Sequence, residues 1–584
     1  MNFKINSGLG ILLPYLAKYR LRVVLVFAFI IITVSIDQAQ PYLIRDVIDN
    51  HIDVVSPDFS GILWISLGYL ALVLFSFGLS YYQDVLLQFT GQSIVREIRM
   101  DLFNHIQNLS LKYFDQNSSG RIITNVVSDT EALNNFFTDF LTNTLRGFFS
   151  LILIVFFMLR LNRTVACYCF IMIPVIVGVS YIIRGGIRKV NQEMRSRLSI
   201  AISFLAENLS GMAIVQIFNQ ETKQQREFDD RNKALLKVTI LENRLNLFFF
   251  LVTEFLSDLG VAALVWFGGG AVISGAISFG VLFAFINYMR RFFQPINNIT
   301  QQLNVLQSTI VSSERILRTF QEKPDIKDLA NPTARLGEGR VEFKQVSFAY
   351  RPGQFVLHNI NLEIKPGERV GFVGASGAGK TSLINLLARF YDVNEGCLEI
   401  DGQDIKEFSL NVLRRNVGIV QQDVTLFSGS VLDNIRFFRK EIPDIHVIEA
   451  CRLVGADSFI RRLPQGYNTV MSERGSTLSA GERQLLSFAR VMVFDPKILI
   501  LDEATASLDS VSEAVLQEAI SKVSLGRTLL VIAHRLSTVQ QMDYIVVLDH
   551  GRIVESGNHV ELLSQKGFYQ RLHQSGVLLE GVAV

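Results

Sequence analysis

Cysteine is scarce in this chain. Its 584 residues hold four, at positions 167, 169, 397 and 451, too few and too scattered for a disulfide framework or a zinc site. Charge is scarce too. Asp, Glu, Lys and Arg make up 19% of the residues, against about 25% in ordinary soluble domains. Net charge is almost absent: 56 basic and 54 acidic residues leave +2. That lacks the basic excess of a nucleic-acid-binding protein, so no nucleic-acid partner is expected. The mix of low hydrophobicity and high net charge that keeps a chain disordered is also missing. No low-complexity tract and no repeat of solenoid period is present. What the chain has in quantity is apolar residues, 49% of the total, with a mean hydropathy of +0.31. These figures point to a membrane protein, at least in part.

The apolar residues concentrate before about residue 300. A helix needs about 20 of them to cross a hydrocarbon core of ~30 Å. Six windows meet or approach this: Val23–Ile44, Ile62–Leu86, Phe140–Leu161, Val165–Ile183, Leu247–Ile273 and Phe279–Phe293. The stretch before the first carries no small-residue cleavage site, so no cleaved signal peptide is expected. Short loops join windows one to two, three to four and five to six. Long polar connectors join two to three and four to five. The second connector is rich in Lys and Arg, among them Arg188, Lys189, Arg195, Arg197, Lys223 and Arg226. The first short loop is acidic, with Asp46, Asp49, Asp53 and Asp58. Basic loops stay inside, so the long connectors and both termini are expected in the cytoplasm. Arg160 and Arg163, in the short outer loop between windows three and four, go against that bias.

From about residue 338 the pattern changes. Short apolar runs at 370–373, 417–420, 498–501, 529–532 and 544–548 alternate with helical patterns, which predicts an α/β domain on a parallel sheet. Gly374-Ala-Ser376-Gly377-Ala-Gly379-Lys380-Thr381 matches the phosphate-loop pattern, after a strand and opening a helix. Its glycines let backbone N–H groups close around phosphates. Lys380 supplies charge to the outer phosphates, and the Thr381 hydroxyl is a Mg²⁺ ligand; Ser382 completes the expected ATP-binding set. The run Ile498–Leu501 ends in Asp502 and Glu503. Asp502 is expected to hold Mg²⁺, and Glu503 to act as general base for the attacking water.

Between these lies Leu478-Ser479-Ala480-Gly481-Glu482, where the sequence resembles the ATP-binding cassette (ABC) family, whose signature reads LSGGQ. The resemblance spans essentially the whole chain. It implies an adenine-stacking role for Tyr350, a Mg²⁺-sensing role for Gln422, a D-loop at Ser507 and Asp509, and a γ-phosphate contact from His534. Tyr113-Phe-Asp115 with Gly120-Arg121 resembles the exporter pattern that precedes a first coupling helix. Residues 207–212 and 216–219 resemble the second. The implied fold is a six-span α-helical transmembrane domain plus an α/β P-loop NTPase cassette, a type IV exporter half-transporter of the multidrug-resistance-like kind. The implied domains are 1–320 transmembrane, 321–337 linker and 338–584 nucleotide-binding. The implied cofactors are ATP and Mg²⁺, and the implied activity is ATP hydrolysis driving export of amphipathic small molecules across the cytoplasmic membrane. A lipid or peptide translocase, and an ATP-gated regulator or channel, stay open beside it.

In this family two cassettes meet head to tail, so one cassette implies a second chain. Here the signature departs from the family's: Ala480 replaces a glycine, and Glu482 puts an acid where a triphosphate is expected. Lys380, Asp502, Glu503 and His534 are intact. That combination resembles the acid-bearing subunit of heterodimeric exporters, so a different half-transporter is favoured as partner over a second copy. Inside the bilayer, Asp37, Glu254 and Asp258 stand in apolar windows. They are expected either to line a transport cavity that favours cationic cargo or to pair with Arg45, Arg146, Arg290 or Arg291.

Overall fold

The computed structural model describes residues 8–53, 58–328, 336–471, 477–502, 510–532, 536–565 and 567–574. They form two compact units, Met1–Gln107 with Ser119–Glu322, and Asn108–Ser118 with Lys323–Val584.

The first unit is helical. Its long helices are α1 (Arg20–Val47) and α2 (Phe59–Gln107). After α3 (Leu111–Gln116), which belongs to the second unit, come α4 (Thr142–Leu161), α5 (Arg163–Ser210), the short α6 (Met212–Ile217), α7 (Glu221–Ile273) and α8 (Phe279–Gln321). Each of the six apolar windows falls in one of the long helices, or, for Phe140–Leu161, runs into α4 from the preceding turn. Among the described residues, four helices are long and apolar enough to cross a membrane: Arg20–Ile52, Phe59–Gln107, Ser119–Leu161 and Glu221–Ile273. The other two windows lie within α5 and α8. Along the apolar part of α2, Leu63, Trp64, Phe75 and Phe77 are exposed. Farther on, Leu87, Ile94, Ile98 and Leu102 are buried at helical spacing, Leu87 packing with Val26 and Ile30 and the other three with Leu133, Phe137 and Ile316. The helix thus changes from an apolar outward surface to an amphipathic one along its length.

Two polar knots tie this unit together. At the short-loop end, the Asp49 carboxylate accepts from Arg45 Nε (2.8 Å), Ser278 Oγ (2.5 Å) and the backbone N–H of Gly280 (2.8 Å). It therefore caps the start of α8, where the first N–H groups have no helical partner. A Cβ on Gly280 would lie 2.5 Å from Asp49 Oδ1 and 2.6 Å from Arg45 O, so the approach needs glycine. The second knot surrounds Pro41, which is buried inside α1. Proline has no N–H, so the carbonyl four residues back, on Asp37, loses its helical donor. Arg291 of α8 donates to that carbonyl and also to Gln40 Oε1 at 3.1 Å. One turn away, Tyr288 Oη donates to the Gln38 carbonyl at 2.8 Å. In hydrocarbon an unmet backbone group costs several kcal/mol. Two side chains of α8 meet two carbonyls of α1.

The second unit is the cassette. A four-stranded antiparallel sheet has the order β2 (Gln354–Ile364), β1 (Val341–Arg351), β4 (Glu395–Ile400), β5 (Gln403–Asp404). The central sheet contains β3 (Arg369–Val373), β6 (Val417–Val420), β7 (Ile498–Asp502), β8 (Thr528–Ile532), β9 (Tyr544–Asp549) and β10 (Arg552–Gly557), in the order β10-β9-β3-β8-β7-β6. All its neighbours pair in parallel except β9 with β10. Strands β7 and β8 are buried along almost their whole length, as a sheet covered on both faces requires. Where β3 starts and β9 is about to start, Arg369 and Asp543 form a two-pronged pair at 3.0 and 2.6 Å.

Helix α3 reaches this unit from the middle of the helical half of the sequence. The Tyr391 hydroxyl donates to the Asp115 carboxylate, and Lys112 pairs with Asp325 at 2.9 Å. Burial, with the Asp115 carboxylate beside it, pushes the Tyr391 phenol well above its ordinary value. Tyr113 and Asp115 therefore lie on this docked helix itself rather than ahead of it.

Candidate nucleotide site

The carboxyl ends of β3, β8 and β7 come level: Ile532 pairs with Phe372 on one side and with Asp502 on the other. In open α/β sheets ligands bind beyond those ends. The loop after β3 runs from Gly374 into α9 (Lys380–Leu387). A Cβ on Gly374 would stand 2.1 Å from the carbonyl oxygen of Leu548. Gly379, the residue before α9, has φ +100°, and a Cβ there would meet Leu357 at 2.7 Å. Packing and backbone thus both demand glycine, and the loop lies flat against its surroundings with its N–H groups at the start of a helix. Ser376, Gly377 and Thr381 are exposed. Lys380 is buried, and its ammonium donates to the carbonyls of Gly374 (2.7 Å) and Ala375 (3.0 Å). It is folded over the loop it would neutralise phosphates in. Burial raises the Asp502 carboxyl above its ordinary value, with Lys380 pulling it back down.

Tyr350, half-buried and next to last in β1, stands beside the helix that this loop opens. Its hydroxyl donates to Ser382 Oγ (3.2 Å) and accepts from Asn385 Nδ2 (3.1 Å). Its ring meets Tyr391 edge-on, centroids 5.0 Å apart. Since Tyr391 also holds Asp115, one aromatic pair joins the loop's helix to the docked α3. Sequence reading passed over Tyr391; an aromatic directly after the loop's helix, at a surface awaiting a partner, is the signal that was there.

The signature opens α10 (Ala480–Met492). Ser479 is its N-cap and Glu482 its third residue, and the two form a capping box. The Ser479 N–H donates to Glu482 Oε2 at 2.8 Å, and the Glu482 N–H donates to Ser479 Oγ at 3.2 Å. Glu482 is thus not aimed outward as a bare acid; its carboxylate is folded back on the helix start. Gly481 is buried, and Ala480 sits in the first turn, where a Cβ is no strain. Gln484, two residues on, is buried and donates to the carbonyl of Gln421 at 3.4 Å. That ties α10 to the residue before the exposed Gln422. Glu503, Ser507, Asp509 and His534 lie outside the described residues.

The three intramembrane acids belong to the first unit. Asp37 Oδ1 accepts from Ser76 Oγ at 3.3 Å. Glu254 and Asp258 are exposed, with no ion pair or hydrogen bond among the described residues. The expected arginine pairings are not the ones formed. Arg45 is taken by Asp49, and Arg291 meets the Asp37 carbonyl rather than its carboxylate.

Family models match both halves: ABC transporter transmembrane region over residues 23–296, and ABC transporter over residues 357–506. The chain belongs to the ABC transporter family. As in other members, ATP hydrolysis in the cassette is coupled to transport by a multi-pass membrane domain, and the chain is a half-transporter that acts in a dimer. A Bacillus subtilis (strain 168) protein named "Probable multidrug resistance ABC transporter ATP-binding/permease protein YheH" is 38% identical over 89% of this chain and 77% of its own length. An ATP-dependent lipid A-core flippase of Syntrophus aciditrophicus (strain SB) is 38% identical over 88% and 85%. A solved bacterial Atm1-family ABC exporter with ATP bound superposes with a TM-score of 0.78 at 26% identity, covering 97% of this chain and 100% of that one.

Proposed function

We propose that this half-transporter exports amphipathic small molecules across the cytoplasmic membrane by alternating access, with its cassette and both termini in the cytoplasm. The observation that carries this reading is the docking of α3 on the cassette through Tyr391 and Asp115, one aromatic pair away from the ATP loop. In this reading Lys380 and the loop N–H groups bind the phosphates, and Tyr350 bears on adenine. Thr381, Asp502 and Gln422 would hold Mg²⁺. The donor set fits a hard cation: an exposed hydroxyl and a carboxylate whose burial disfavours its bare charge. When bound, the ion supplies charge neutralisation for the transferred phosphoryl group. Glu503 takes a proton from the attacking water, and His534 contacts the γ-phosphate. Replacing Glu503 by Gln should trap ATP and stop turnover; near-normal hydrolysis in that variant would refute its role as base.

The partner in this proposal is a different half-transporter, whose ATP would meet Ser479, Ala480, Gly481 and Glu482, while the D-loop residues Ser507 and Asp509 sit at the shared interface. The capping box supports it. A carboxylate fixed at the first turn of α10 cancels much of the positive end of the helix that a phosphate would use. Hydrolysis then runs mainly at this chain's own Glu503 against the partner's signature. Robust ATPase activity from a stable homodimer of this chain alone would sink the heterodimer. Glu254 and Asp258, unpaired within their own chain's described residues, are assigned to a wet cavity that favours cationic cargo. Unchanged export of cationic dyes after Glu254→Gln with Asp258→Asn would remove that assignment. The flippase among the relatives supports a second reading, a lipid translocase of the same fold. Vesicle assays comparing lipid and dye movement separate the two.

A further inference from the structure

A cavity of about 540 Å³ opens between the turn joining α4 to α5, the first turns of α5, and parts of α7 and α8. Its size falls in the range of roughly 300–1,000 Å³ typical of ligand clefts. Its walls are mostly apolar, with Val165, Leu264, Ile277 and Met289 among them. Tyr168 and Phe267 also line it, their rings stacked with centroids 6.2 Å apart. Polar lining residues gather at the short-loop end, where Asn162 caps α5 and Thr164 follows. Arg160 and Arg163 stand on either side of Asn162. Both are exposed and form no ion pair or hydrogen bond among the described residues. They are also the two residues that defy the basic-inside bias. An apolar cavity of this kind is filled by hydrocarbon rather than water, and an arginine fork at a membrane interface finds its best partner in phosphate.

We propose that this subunit holds one anionic phospholipid here, from the leaflet facing the short loops. One acyl chain lies between α5, α7 and α8, and the headgroup phosphate lies against Arg160 and Arg163. The site rests on the chain spanning a bilayer; it does not depend on the cargo or on the heterodimer. The lipid is a resident ligand, so it is retained without nucleotide.

Native mass spectrometry of the purified, nucleotide-free transporter, titrated with phosphatidylglycerol or phosphatidylcholine, tests this. The wild type should bind phosphatidylglycerol more tightly. Arg160→Gln with Arg163→Gln should weaken that binding about 30-fold, the equivalent of about 1 kcal/mol per arginine, and leave phosphatidylcholine unchanged. Arg160→Lys with Arg163→Lys should keep most of the preference. Ala263→Phe, which fills the cavity from α7, should weaken both lipids alike. Both arginines are exposed, so their replacement leaves the fold intact. Equal binding of the two lipids by the wild type, or a preference that survives the double glutamine change, overturns the proposal.

Discussion

The capping box at the signature separates two effects of one residue. Glu482→Gln keeps an acceptor for the Ser479 N–H and removes the charge; Glu482→Ala removes both. The lost hydrogen bond is worth about 1 kcal/mol, so in the alanine variant the Ser479 amide should exchange its hydrogen about fivefold faster. In the glutamine variant it should stay protected. Ser479→Ala removes the N-cap itself, at a cost of about 1 kcal/mol, or a fall of about 2–4 °C in the melting temperature of a domain this size. Loss of the Glu482 charge changes the helix-end potential by about 0.3–1 kcal/mol. Nucleotide held against this signature should therefore bind up to about fivefold tighter in the glutamine variant. Hydrogen exchange read by mass spectrometry and nucleotide binding to the assembled dimer measure the two arms. If the glutamine variant loses amide protection as fully as the alanine variant, or binds nucleotide more weakly than wild type, the reasoning fails.

Three further outcomes are expected. Tyr391→Phe removes the hydrogen bond to Asp115 and should lower substrate-stimulated ATPase activity while basal hydrolysis falls less; a double cycle with Asp115→Asn should show the two changes to be non-additive. Tyr288→Phe should cost about 0.5–1.5 kcal/mol, seen as a lower melting temperature in detergent, because the hydrogen bond from α8 to the Gln38 carbonyl is then lost. Arg369 holds the Asp543 carboxyl below its ordinary value of 3.8. The native state therefore binds that proton more weakly than the unfolded chain, and the pair's contribution is full above pH 3.8 and lost as pH falls through the lowered value. Half-exposed as it is, the pair is worth under about 1 kcal/mol. The stability gap between wild type and Asp543→Asn, followed by acid titration of the cassette, should close below that pH and not above it.

Hydropathy found the spans but not the helices. It registers only the residues that meet hydrocarbon, whereas α2, α5 and α7 run 49, 48 and 53 residues, far beyond any bilayer. The phosphate loop was legible because its glycines answer to local geometry, a left-handed φ at Gly379 and a close carbonyl at Gly374. The capping box was legible too, in the Ser479-x-x-Glu482 spacing, yet reading Glu482 only as a charge hid it. Tyr391, Arg291 and Tyr288 could not be assigned that way. Their partners lie 276, 254 and 250 positions away in sequence, and no local pattern encodes such a distance. For the intramembrane acids two roles stayed open, and of these the pairing of Asp37 with Arg45 or Arg291 is not the one formed, since Arg45 meets Asp49 and Arg291 the Asp37 carbonyl.

The proline in α1 also limits how the transporter can move. To part α1 from α8, Arg291 and Tyr288 must leave the carbonyls of Asp37 and Gln38, and the Asp37 carbonyl is then stranded in hydrocarbon, since Pro41 offers it no donor. That splint makes the two helices travel as one strut. A pathway that opens and shuts must then do so along other seams, with the α1–α8 pair as the fixed post against which the remaining spans swing.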